Sequence, residues 1–161
     1  MATLLLIVTA VLTALIAGLF YAYSCSVVLG LGKLSDGEYL KAMQNINREI
    51  LNPVFFMSFM GTAVLLPVSA FVFRGQQPAF IFLLLATLAY LIGVFGVTVA
   101  GNVPMNDMLD KFDISGATTG AIKQMRESFE NRWNLLNNVR TVFSVISIAL
   151  VVCACIWNKE V

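Results

Sequence analysis

The sequence contains no histidine. That removes the commonest metal ligand and the commonest general base near neutral pH. Charge is scarce as well. Asp, Glu, Lys and Arg make up 12% of the 161 residues, about half the ~25% of an ordinary soluble domain. The net charge of +1 offers no basic surface to nucleic acid, so no such partner is expected. The three cysteines form no disulfide framework. Cys25 lies in the first apolar stretch, and Cys153 and Cys155 lie in the last. The latter pair point roughly 200° apart on a helix, and Cys25 belongs near the opposite membrane face. Bridging them needs geometry that spanning helices do not offer. All three read as small buried hydrophobes.

What is present is apolar sequence. Hydrophobic residues make up 59% of the chain, and the mean hydropathy is +0.86. Four runs carry no formal charge: 1–32, 50–73, 75–106 and 141–158. A bilayer core about 30 Å thick takes roughly 20 helical residues, and backbone groups in lipid must be satisfied within the segment. The first run lacks a basic start and exceeds the apolar core of about 7–15 residues in a cleavable signal. Tyr23 spoils the faint lipoprotein box at Ala22–Cys25, so the run reads as a retained helix. The expected fold is all-α: a four-helix transmembrane bundle with an amphipathic cover helix between helices one and two and an extended fourth helix. It forms one membrane domain over 1–161. The spans are expected at about 3–31, 53–73, 78–106 and 118–157, and the cover helix at about 36–51.

The turn around Arg74 is short and makes a tight hairpin of helices two and three. The other membrane face is elaborate. Ser35 and Glu38 have capping-box spacing, and Leu40, Met43, Ile46 and Ile50 recur at helical intervals. Asn52-Pro53 ends this cover helix and starts the next. The last helix carries Ile122, Met125, Phe129, Trp133 and Leu136 on one face. Arg126, Glu130, Asn134, Asn137 and Thr141 mark an adjoining polar stripe. Lys33, Lys41, Arg48, Lys111, Lys123, Arg126, Arg132 and Arg140 lie on the elaborate side, against Arg74 and Lys159 on the other. The positive-inside rule puts loops 32–52 and 107–140 in the cytoplasm and the termini outside, as in a bacterial inner membrane.

The polar residues gather at the elaborate face. Tyr21 and Tyr23 are either interface anchors or pocket lining. Asn45, Asn47, Asn52, Asn102, Asn106, Asn134, Asn137 and Asn138 form either a capping and hydrogen-bond network or the rim of a pocket. Arg140 enters a transmembrane helix, where a charge must snorkel or find partners. It is expected within direct or one-water reach of Asn102, Asn106 or Asp107, beneath the cover helix. Asp107, Asp110 and Asp113 read as solvated charge, since no Gly-bearing calcium loop accompanies them. No metal site is expected. Gly93 and Gly96 in an apolar helix indicate close packing.

Several stretches together carry a resemblance: Gly18–Ser24, Met43–Arg48, Leu51-Asn52-Pro53, Gly101–Asp107, Trp133-Asn134 and Val139-Arg140-Thr141. In order and spacing they resemble the small integral membrane family that includes the anthrone oxygenases. The resemblance covers nearly the whole chain. It implies a four-helix membrane protein and, by analogy with fungal members, oxygenation of a polycyclic anthrone to a quinone without metal or flavin, so no cofactor. The matching positions are Asn47, Asn52, Asn102, Pro104, Asn106, Trp133, Asn134 and Arg140. Asn138 stands where relatives often carry histidine. On this reading Asn102, Asn106 and Arg140 donate to a developing oxyanion, Asp107 is the base, and Tyr21 and Trp133 stack on the ligand. Tyr23, Asn47, Asn52, Asn134 and Asn137 complete the lining. The other reading is a non-catalytic membrane scaffold or partner subunit with a structural asparagine network. Membrane lipid and a small hydrophobic ligand are the expected partners, and a homo-oligomer is compatible with either.

Overall fold

The computed structural model describes residues 2–157, all in helices or the short connections between them. Lys159, and the outermost residues of the runs 1–32 and 141–158, lie outside the described residues. Helix α1 runs over Ala2–Leu31, α2 over Asp36–Glu49, α3 over Pro53–Val72, α4 over Ala79–Asp110 and α5 over Thr119–Ile156. Helices α1, α3, α4 and α5 are each long and apolar enough to cross a membrane. They pack as an antiparallel square, α1 between α3 and α5, and α4 opposite α1 between the same two. The chain is thus an all-α integral membrane protein built on a four-helix bundle.

Inside the bundle the apolar core includes Leu6, Ile16, Leu66, Leu83, Tyr90 and Val151. Small hydroxyl side chains let the helices approach, as is usual where lipid supplies no hydrophobic drive between helices. Thr9 and Ser69 share a hydrogen bond of 3.0 Å between α1 and α3. The Tyr90 hydroxyl donates to the carbonyl of Phe59 at 2.9 Å, tying α4 to α3. At Gly93 the ring of Phe143 from α5 lies directly on the backbone, so these two helices touch because one has no side chain there. Leu4, Ile7, Val64, Phe71, Leu85 and Ile92 are exposed and form part of the lipid-facing rim. Cys25 is exposed too and Cys153 and Cys155 are half-buried, so none is the fully buried hydrophobe expected of it.

The elaborate face has a second core. Tyr39, Leu40 and Met43 of α2 bury themselves against Met105 and Leu109 of α4 and Phe129 and Trp133 of α5. Burying each large side chain away from water contributes about 1.5–3 kcal/mol. Polar contacts fix the register. The Glu38 carboxylate accepts from the backbone N–H and hydroxyl of Ser35, starting α2. Gln44 donates to the carbonyls of Leu109 and Phe112 at 2.8 and 2.9 Å, satisfying groups where α4 ends. Arg126 donates to the carbonyls of Gly32 and Leu34 and to Asp36 and Glu130, clamping the α1–α2 connection onto α5.

Two element ends differ from expectation by more than one residue. Helix α4 continues to Asp110 instead of stopping at 106, so the polar stretch Asn102–Asp107 lies inside a helix. Pro104 removes an N–H and crowds the preceding turn. The turns before it, Thr98–Asn102, are widened to π-helix, which accommodates the ring without ending the helix. The cover helix stops at Glu49, two residues early, with Ile50 as its C-cap.

Candidate functional site

Beneath the end of α2 the bundle encloses a cavity of about 210 Å³. Its walls are apolar and largely aromatic. Phe55 and Phe59 of α3 stack at 5.2 Å between ring centroids, and Phe59 stacks on Phe95 of α4 at 5.6 Å. Phe20 of α1 and Ile46 and Ile50 of the α2 end close it further. Tyr23 and Trp133 meet at 5.9 Å and line it from α1 and α5. Phe56, Met60, Val99 and Val103 also line it while remaining exposed on the outer surfaces of α3 and α4. The exposed lining residues thus put an opening of the cavity on the outer surface of the bundle, between these two helices.

The polar part of the lining comes from three helices: Asn47 of α2, Thr98, Asn102 and Asn106 of α4, and Asn137 and Arg140 of α5. Helical spacing explains the grouping. Thr98, Asn102 and Asn106 are four apart on α4 and share a face, as do Trp133, Asn137 and Arg140 on α5. The π-helical stretches of α1 (Tyr23–Val27) and α4 (Ala89–Gly96 and Thr98–Asn102) both run past this cavity. Such widened turns concentrate at functional sites.

Arg140 is 6% exposed. Its guanidinium donates to Asn137 Oδ1 at 3.1 Å and Thr98 Oγ1 at 3.4 Å. It also lies 4.4 Å from the Phe20 ring centre and 5.5 Å from that of Trp133. Asn137 donates in turn to Ser24 Oγ at 2.9 Å and to the Phe20 carbonyl. Trp133 Nε1 donates to Asn106 Oδ1 at 2.9 Å. Asn102 stands apart. It is 1% exposed, yet neither its Nδ2 nor its Oδ1 has a hydrogen-bond partner. Asn47 Nδ2 and Arg140 Nε share that condition in the same cavity. Each such group costs about 1–3 kcal/mol when left unsatisfied, which a fold does not carry without reason.

The structure thus brings together Tyr23, Asn47, Asn102, Asn106, Trp133, Asn137 and Arg140 from the expected set. It separates four others. Asp107 is exposed, does not line the cavity and has no ion-pair partner among the described residues. It follows Asn106 by about 100° around α4, which turns it outwards. Arg140 donates to Thr98 and Asn137 and makes no direct hydrogen bond to Asn102, Asn106 or Asp107, although Asn102 and Asn106 line the same cavity. Tyr21 is 59% exposed, about 200° around α1 from Tyr23. Asn52 is the N-cap of α3, accepting from the Phe55 N–H and donating to the Glu49 carbonyl. Asn134 is half-buried outside the lining, its Oδ1 without a partner. Thr98 and the wall of Phe55, Phe59 and Phe95 were not singled out from sequence. Thr98 sits in an uncharged run where threonine ordinarily bonds its own helix, as it also does here to Val94.

A family model described as "Anthrone oxygenase" matches residues 54–150. That is more than half of the chain and holds α3, α4 and most of α5, including Asn102, Trp133 and Arg140. No curated protein and no solved structure matches the chain.

Proposed function

The chain belongs to the anthrone oxygenase family, and from that premise we propose that it binds a flat hydrophobic ligand in this cavity and oxygenates it without a cofactor. The observation that carries the reading is Asn102, a buried amide lining an aromatic cavity with both polar atoms unsatisfied. Oxygenation of an anthrone turns its ring methylene into a carbonyl. One atom of O2 goes to that carbon, and the other leaves as water with the two methylene hydrogens. The enolate of such a molecule is electron-rich enough to react with O2 directly. The protein's share is then to exclude water, hold the ring between aromatic walls and direct N–H groups at the oxyanion. Asn102 and Arg140 are the donors, Asn106 orients Trp133, and Tyr23 and Trp133 line the ring. Asp107 has no part in this. By the distribution of Lys and Arg, the cavity end of the bundle is assigned to the cytoplasmic side of a bacterial inner membrane.

The scaffold reading draws on Asn52, Asn106 and Asn137, each of which already has a structural partner. Purified protein given anthrone in aerated detergent separates the two. The expected result is anthraquinone formed with equimolar O2 uptake, well above the detergent blank and reduced at least tenfold by Asn102→Leu. A rate equal to the blank for the wild type overturns the oxygenase reading.

A further inference from the structure

Arg140 is the single charged residue among those lining the cavity, and no Asp or Glu is among them. The acidic groups nearby are committed elsewhere or point away. Asp36 and Glu130 pair with Arg126, Asp110 pairs with Arg48, and Glu49 and Asp107 are exposed. Tyr23 faces the same space as a phenol beside Trp133. An arginine keeps its charge in a protein. Here that charge meets two neutral oxygens and two ring faces. The unsatisfied groups of the lining have the same bias. Arg140 Nε, Asn102 Nδ2 and Asn47 Nδ2 are donors, against the single acceptor Asn102 Oδ1. A buried cation with spare donors is a site for an anion.

The cavity also has no group able to make that anion. It holds no carboxylate, and the chain has no histidine. Resting on the ligand-binding reading above, we propose that the cavity selects an amphiphile whose oxyanion is already formed, a flat aromatic body with one carboxylate, phenolate or enolate head. The head lies against Arg140 and Asn102, and the body lies along Phe55, Phe59 and Phe95. Entry is sideways from the bilayer, between Phe56 and Met60 of α3 and Val99 and Val103 of α4. The proton goes to solvent before binding, so binding follows the ligand's own ionisation.

The test uses 2-naphthoate and decanoate, each against its own methyl ester, with Trp157→Phe protein in detergent. Binding is read from Trp133 emission and corrected for partition into micelles. The expected result is saturable binding of 2-naphthoate at least about tenfold tighter than its ester, lost when pH falls through the acid's own pKa. Arg140→Gln erases the preference and Arg140→Lys keeps part of it. Displacement of naphthoate by decanoate, but not by methyl decanoate, supports the anion requirement and extends it to acyl-chain carboxylates. Displacement by neither supports the flat body. An ester that binds as tightly as its acid in the wild type overturns the anion inference and leaves the ligand-binding reading standing. Absence of saturable binding by all four probes overturns both. The wild-type comparison needs no variant, so a failure of Arg140→Gln to fold does not block the decision.

Discussion

At the scale of single residues, Arg140 and Asp107 look alike in sequence and differ completely in place. Both are charges beside a membrane segment. Arg140 shares a face with Trp133 and Asn137 and is buried, while Asp107 is one residue past Asn106 and turns out. A helical wheel distinguishes them, as it does Tyr21 from Tyr23, provided the helix is known to continue. Ending α4 at about residue 106 hid that. The consequence is testable. Asp107→Asn should shift stability by less than about 0.5 kcal/mol, and its combination with an Arg140 change should be additive in detergent melts. A coupling well above that would restore the pair. Arg140→Met trades two hydrogen bonds for relief of a buried charge, so ligand-free stability should change by no more than about 1 kcal/mol while anion binding is lost. A severe loss of stability would mean that the arginine holds the bundle together.

At the scale of elements, the capping box of α2 and its apolar face were legible because their residue types and spacing have local causes. The π-helical stretches flanking the cavity were not, since no residue pattern short of Pro104 marks them. The Ser35 hydroxyl and backbone N–H hold the Glu38 carboxyl below its usual range. A depressed carboxyl contributes stability above its unfolded value of about 4.3, and the contribution is lost as pH falls through the folded value. Amide exchange at the start of α2 should therefore quicken below that window, and Glu38→Gln should remove the pH dependence. Exchange that responds identically to pH in the variant would contradict the assignment. The α4–α5 contact makes a second prediction. A methyl group at Gly93 overlaps the Phe143 ring, whereas one at Gly18 meets nothing. Gly93→Ala should destabilise by about 1–3 kcal/mol, and Gly18→Ala should be neutral or mildly stabilising. Melts of the two proteins in one detergent compare them directly.

At the scale of the whole molecule, four uncharged runs in a chain this short leave few architectures, so the bundle was readable from length and hydropathy. The cavity was readable only as a side of the molecule. Its aromatic wall comes from uncharged runs in which phenylalanine facing lipid and phenylalanine facing a ligand look the same. Topology has its own check. In a background without native cysteines, Asn131→Cys and Arg74→Cys should react with an impermeant reagent from opposite faces. Labelling of both from one face would contradict the four-span arrangement. The account's central claim, that a hydrophobic ligand sits beneath the α2 end, has a more direct test because the two tryptophans are placed apart. Trp133 lines the cavity, and Trp157 is exposed beyond the other end of α5. Anthrone titrated under argon into Trp157→Phe protein should quench Trp133 saturably. The same titration of Trp133→Phe protein should give only the shallow, unsaturating decline of partition into detergent. Equal, unsaturating quenching of both would contradict the claim.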